Sequence, residues 1–284
     1  MQLDDVYQQY KTPDLLRIRV ETHQRYTEHP LDLDQACAKV LGLTGDEALL
    51  DVGCGPGAFL RHLRAHGHRG RLAGLDQSPA MVAEAAHRSQ AAASSDAAAE
   101  AAPIEWFQGL ADALPFADGE FSVLSARHML YHVPDIPAAL RSFARVVIPG
   151  GVVLAVTNSA RNTPGLADLE DALAAEFGLE ESPDTAGPFN TGNAADQLRA
   201  VFPVVEETVL SSALVFTDPV PIVDYVMTLS VAQQAADDPE LFHRVHAWLT
   251  DQATRRLAAR GGSWRDPKSV GLYRCTSPGP VSGY

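Results

Sequence analysis

Residues 49–76 read LLDVGCGPGAFLRHLRAHGHRGRLAGLD, and this stretch decides the fold. Leu49 to Val52 is an apolar run too short for a helix and closed by glycine, which reads as a buried strand. Gly53-Cys54-Gly55-Pro56-Gly57 then forces a tight turn. Ala58 to His66 spaces its apolar residues as a helix, Ala73-Gly74-Leu75 is a second strand, and Asp76 stands at its carboxyl end. Glycine lets the backbone pass close beneath a ligand, and a helix start offers unpaired N–H groups. An acid after the second strand can accept from both hydroxyls of a ribose. The stretch predicts a nucleoside site.

Ala58 lets the turn also satisfy G-x-G-x-x-A, so a nicotinamide-dependent oxidoreductase is one reading. Pro56 counts against it, because proline has no N–H to give a pyrophosphate. Asp51, just before the turn, repels phosphate and welcomes an ammonium. A ligand with adenosine at one end and an amino acid at the other fits better, and S-adenosylmethionine is such a ligand. Asp51, Gly53, Gly55 and Gly57 spell D-x-G-x-G-x-G. On this motif and the strands and turns downstream of it, the chain resembles the class I S-adenosylmethionine-dependent methyltransferases, well over residues 15–160 and by strand order beyond.

The resemblance implies an α/β fold: a Rossmann-like, seven-stranded, mostly parallel sheet with an antiparallel last strand and helices on both faces. It also implies an N-terminal helical lid over residues 1–45, a cofactor-binding core over 46–160, and the remaining strands with helical acceptor-binding inserts over 161–284, in one compact domain. The cofactor contacts it implies are Asp51, Gly53, Cys54, Gly55, Gly57, Asp76, Gln77, Met81, Ala111, Asp112, Ala126 and Arg127. The activity implied is methylation of oxygen, nitrogen or carbon on a small-molecule acceptor, in bacterial metabolism. A non-catalytic S-adenosylmethionine-binding protein is the alternative from another class, since a fold does not guarantee chemistry.

The chain has 284 residues and a net charge of −14, which argues against nucleic acid as a partner, because phosphate binding needs clustered Lys and Arg. Cys37, Cys54 and Cys275 have no metal or disulfide spacing and read as reduced thiols of a cytoplasmic protein. No apolar run of about 18 residues predicts a membrane span, and the polar N-terminus is no secretory signal. A homodimer is compatible with all of this.

Along the chain, Leu15 to Tyr26 and Leu31 to Leu43 read as helices. Tyr7, Tyr10, Arg19, His23 and Tyr26 concentrate polar aromatic and basic groups there, which reads either as a solvated helical face or as a lid lining the acceptor. Ser78 can cap a helix from Pro79, with Met81 one turn in. Residues 89–103 are alanine-rich and low in large apolar groups, and read as a frayed helix end and loop. Ile104 to Phe107 is the third strand. QGLADALPF over 108–116 resembles the loop that edges the adenine in the family, with Leu110 where the family has an acid. Either Asp112 replaces that acid or the Ala111 N–H carries the adenine edge.

Phe121 to Ala126 is the fourth strand, and Arg127 to Asp135 comes next, at the ligand edge of the sheet. His128, Tyr131 and His132 share one face if this segment is helical. His128 is the candidate general base, with Tyr131 second. His132 reads as a hydrogen-bonded histidine beneath the loop. No metal is expected, since His128 and His132 lack a third ligand. A helix over 136–147, a strand over 152–156 after Pro149-Gly150-Gly151, helices over 163–177 and 192–202 with Asn193 as a cap, a strand over 208–216, helical sequence over 219–259 and a last strand over 269–276 complete the chain.

Overall fold

Leu49 and Leu50 are neighbours in sequence and face opposite ways in the sheet. In a computed structural model that describes residues 13–29, 32–92, 102–182 and 187–278, strand β1 (Leu49–Val52) is buried at every position. β2 (Leu72–Asp76) and β4 (Phe121–Arg127) flank it in parallel, with Asp51 opposite Gly74 on one side and Ser125 on the other. β3 (Glu105–Gln108) pairs parallel with β2, and β5 (Val147–Asn158) parallel with β4. β7 (Trp264–Thr276) runs antiparallel to β5, and β6 (Val204–Phe216) completes the order β3-β2-β1-β4-β5-β7-β6. This is the sheet expected from the sequence, with its antiparallel end.

The described residues divide into two compact units. One lies within 31–160, 186–210 and 270–284, the other within 1–30, 161–185 and 211–269. In the first unit the two-residue period of the strands builds two cores. Leu49, Leu72, Val123, Leu154 and Leu272 point to one face. The first helix of the chain, α1 (Pro13–Tyr26), belongs to the other unit. It is α2 (Leu33–Leu41) and α3 (Ala58–Ala65) that cover this face, through Cys37, Leu41, Phe59, Leu60 and Leu63. Helix α4 (Pro79–Ala92) comes after β2. Leu50, Ala73, Leu124, Val153 and Tyr273 point the other way. They meet α5 (Ile136–Val146) and, later in the chain, α7 (Ala194–Arg199). α2 is thus a layer of the sheet, because Cys37 and Leu41, one turn apart, need an apolar surface to bury against.

The second unit holds α1, α6 (Pro164–Phe177), α8 (Pro219–Met227), α9 (Ser230–Gln233) and α10 (Pro239–Ala259). The sequence over 219–259 is therefore three helices, with Asp218 and Asp238 capping the starts of α8 and α10. Their apolar faces form a core with Trp264 and Phe216. Asp266 accepts from the Gly165 and Leu166 N–H groups, both at 2.8 Å, and so caps α6. No described helix is long and apolar enough to cross a membrane.

Candidate active site

The glycine turn is held from below. Its three glycines all have positive φ (Gly53 67°, Gly55 52°, Gly57 77°), where an L side chain is strained. They differ in what a Cβ would meet. At Gly53 it would lie 2.7 Å from Met129 Cβ, and at Gly57 2.3 Å from the Trp106 ring. At Gly55 it would meet nothing within 4 Å. Only Gly55 leaves the open space expected above a ligand cradle; Gly53 and Gly57 are glycine so that Met129 and Trp106 can pack. Trp106 also covers Gly74, a role that no local residue pattern announces.

Asp76 sits at the carboxyl end of β2 as expected. Its Oδ2 accepts from Gly55 N at 2.8 Å and its Oδ1 from Ser78 N at 2.9 Å. Each carboxylate oxygen has a second lone pair, so the same group can hold the turn and still accept from two hydroxyls. Gln77 is half-buried beside it. Met81, also half-buried, lies in the first turn of α4, where its N–H reaches Ser78 Oγ at 3.4 Å. Cys54 is buried and its thiol is pushed up by that burial, so it is inert. Cys37, Cys54 and Cys275 are all free thiols.

Asp51, expected to welcome an ammonium, is 1% exposed. Its Oδ1 accepts from Ser125 Oγ at 2.5 Å, and Arg127 Nε lies 3.9 Å away. The register explains it: Asp51 is directly opposite Ser125, and Arg127, two residues on, shares its face. Arg127 also donates to Asp34 Oδ1 at 2.5 Å and stacks on Phe59 at 4.0 Å. Burial raises the Asp51 carboxyl, opposed by the Arg127 charge and the Ser125 hydrogen bond. The Arg127 Nε, on the side toward Asp51, is itself buried without a hydrogen-bond partner, and its neighbour Ala126 is fully buried. The sequence does not single out Ser125, Asp34 or Phe59. Asp34 lies 93 residues from Arg127, and no local pattern links them.

Leu110, at the position where the family has an acid, is 52% exposed. Ala111 is half-buried against the α5-side core. Asp112 and Ala113 line a surface groove of about 310 Å³ together with Arg141 and Arg145 of α5.

After β4 the chain does not enter an α-helix. His128 has φ 51° and donates its N–H to Val156 O at 2.9 Å, and only a short 3₁₀ turn, Leu130–His132, comes after it. The shared helical face expected for His128, Tyr131 and His132 is thereby corrected: the left-handed residue at His128 breaks the 3.6-residue period before it starts. Tyr131 packs edge-to-face on His132 at 4.5 Å. The His132 Nδ1 is buried with no hydrogen-bond partner, against the expectation of a bonded ring, and burial lowers its pKa. Asp32, Asp34 and His62 are a three-ligand cluster, but Asp34 is already paired with Arg127 and Asp32 caps α2 through Gln35 N.

Of the residues expected to line an acceptor, Tyr7 and Tyr10 lie outside the described residues. Tyr26 packs on Phe216 at 5.3 Å and belongs to the second unit's core. Arg19 and His23 belong to a polar cluster in that unit. Arg19 donates Nε–H to Thr228 Oγ1 at 3.0 Å and an Nη2–H to Thr228 O. The Nδ1 of His23 meets Lys268 Nζ at 3.1 Å and its Nε2 meets Tyr225 OH at 3.4 Å.

Residues 50–155 match the family described as methyltransferase domain. A 2-phytyl-1,4-naphtoquinone methyltransferase of Thermosynechococcus vestitus is 41% identical over 103 residues, 36% of this chain and 42% of its own length. A malonyl-[acyl-carrier protein] O-methyltransferase of Erwinia billingiae is 33% identical over 141 residues, 48% of this chain and 50% of its own. The chain spans about half the length of the curated relatives it matches. The structure of Haemonchus contortus phosphoethanolamine N-methyltransferase 2 with S-adenosylhomocysteine shares the fold at a TM-score of 0.57 and 16% identity, over 98% of this chain and 60% of that one. Residues 50–155 are thus similar to a methyltransferase domain, and the sheet that carries them shares its fold with solved methyltransferases.

Proposed function

We propose that the chain transfers the methyl group of S-adenosylmethionine to a small-molecule acceptor. The observation that carries this is the pairing of Gly55 with Asp76. The one glycine of the turn that faces open space donates its N–H to the acid at the end of β2. That is a cradle with a ribose acceptor beside it, at the carboxyl edge of a parallel sheet. The Arg127 guanidinium suits the carboxylate of an amino-acid tail. A dinucleotide fits less well, since Pro56 lacks an N–H where pyrophosphate would need one.

When bound, the cofactor supplies an electrophilic methyl group on a positively charged sulfur. The protein's share is orientation and exclusion of water. Asp76 fixes the sugar, and Gly55 lets it approach. Asp51 holds Arg127, and with Ser125 keeps the floor of the crevice rigid. An acceptor that must lose a proton needs a base, and His128, held at the end of β4 by its bond to Val156, is the candidate, with Tyr131 second. The names of the relatives, quinone and acyl-carrier methyltransferases, support a small acceptor and do not choose one.

The test is incubation with methyl-labelled S-adenosylmethionine and a metabolite extract, with mass spectrometry of the products. Label should appear in a small molecule together with S-adenosylhomocysteine. His128→Ala should lower kcat by about a hundredfold, within the usual range for a general base, while the Kd for S-adenosylhomocysteine stays unchanged. Equal losses in both would make His128 a cofactor contact. Protein-bound nicotinamide dinucleotide, or tight cofactor binding with no labelled product from any extract, would contradict the reading.

A further inference from the structure

The polar cluster of the second unit has more donors than acceptors. Of the five N–H groups of a guanidinium, Arg19 spends Nε–H and one Nη2–H on Thr228, leaving three among the described residues. The Lys268 ammonium has three N–H groups. One goes to His23 Nδ1 at 3.1 Å, one to Thr27 Oγ1 at 2.7 Å, and one remains. An ammonium only donates, so Nδ1 of His23 accepts and its proton sits on Nε2, directed at Tyr225 OH. The Tyr225 hydroxyl proton is then left over as well. Thr228 is 2% exposed, and its hydroxyl is spent on Tyr225 O at 2.6 Å.

No carboxylate balances this among the described residues. Neither Arg19 nor Lys268 forms an ion pair there. The two acids whose charges reach the cluster are occupied elsewhere. Glu170 Oε1 accepts from Ser182 Oγ at 2.6 Å and from Val231 N at 3.4 Å. Asp266 caps α6. Burial, and after it the charges of Lys268 and Arg19, lowers the His23 pKa to about 4. Arg19, His23, Tyr225 and Lys268 are each half-buried, so the surplus donors are neither sealed nor fully hydrated. Two partly desolvated cations with no carboxylate paired directly to them are costly, and a bound anion would lower the cost.

We propose that Arg19, Tyr225 and Lys268 form a binding site for an anionic oxygen group, a carboxylate or a phosphate ester, carried by the methyl acceptor. Its assignment to the acceptor rests on the methyl-transfer reading; the anion site itself does not. Arg19 and Lys268 supply the charge, and Tyr225 supplies a directed hydrogen bond. His23, kept neutral, fixes the Lys268 ammonium and the Tyr225 hydroxyl between them.

The test is an NMR titration of the full chain with labelled histidine, using inorganic phosphate in one arm and acetate in the other at constant ionic strength. His23 signals are assigned from the spectrum of His23→Gln. The expected result is a saturable change in the His23 signals with one anion or both, and a His23 pKa that rises from about 4 toward 6.5 as the anion neutralises its neighbours. A response to phosphate alone marks a phosphate ester, and to acetate alone a carboxylate. Lys268→Met and Tyr225→Phe should each weaken anion binding about tenfold or more, as expected for losing a hydrogen bond to a charged group. Tyr225→Phe keeps the ring and guards against loss of fold in the lysine variant. No saturable response to either anion, or an undiminished response in both variants, overturns the proposal. Calorimetry with S-adenosylhomocysteine on the same samples separates the two readings, because failure there sinks methyl transfer and leaves the anion site standing.

Discussion

Gly55 and Gly57 lie two residues apart with similar backbone strain and opposite surroundings, and this makes them a sharp pair to exchange. Gly57→Ala drives a methyl into the Trp106 ring and should destabilise by about 3 kcal/mol, the sum of overpacking and a left-handed L-residue. Gly55→Ala adds its methyl to open space. It should cost only about 1 kcal/mol of stability, yet weaken S-adenosylhomocysteine at least about tenfold by intruding on the cradle. Thermal melts and calorimetry on the two variants read both quantities. His23 offers a second residue-level outcome. Its pKa is about 4 folded and 6.5 ordinarily, so the unfolded chain binds the extra proton between those values. Its contribution is therefore complete above pH 6.5 and is lost as pH drops through 4, by about 3 kcal/mol from this group. His132 is lowered too, by burial, and adds a smaller loss of the same sign. Denaturant titrations of the wild type and His23→Gln between pH 7 and 5 should show a flatter profile for the variant, the buried carboxyls that desolvation raises being common to both. Parallel profiles would mean His23 is not held neutral.

The strand β4 and the helix α2 are joined by one side chain, Arg127, which links Asp51 in β1 to Asp34 in α2. Removing it leaves Asp51 buried with its charge uncompensated. Arg127→Met should cost about 3 kcal/mol at neutral pH, and adding Asp51→Asn should recover more than half. A double-mutant cycle in urea checks this, and simply additive losses would show that the two groups do not interact. At the scale of elements, legibility from sequence is uneven. β1, the glycine turn, α3 and β2 are legible because periodicity, breakers and a terminal acid all lie within residues 49–76. The segment after β4 is not. Arg127 to Asp135 carries the residue types of a helix face, but a single left-handed backbone at His128 sends it into a 3₁₀ turn, and nothing in a histidine announces that.

At the scale of the whole molecule, strand order and the antiparallel end of the sheet come from connectivity: short runs separated by helices give a parallel sheet, and a final long strand closes it. Contacts made across the chain do not. Trp106 over Gly57, Asp34 on Arg127 and Lys268 on His23 each join residues dozens to hundreds of positions apart, where no periodicity connects them. The proposed methyl transfer depends on a nucleoside lying on Gly55 with its ribose at Asp76. A crystal structure of the full chain with S-adenosylhomocysteine tests that directly. It should show both ribose hydroxyls on the Asp76 carboxylate, the sugar over Gly55 and the amino-acid tail beside Arg127. Nucleoside density anywhere else, with the carboxyl ends of β1 and β2 bare, would contradict it.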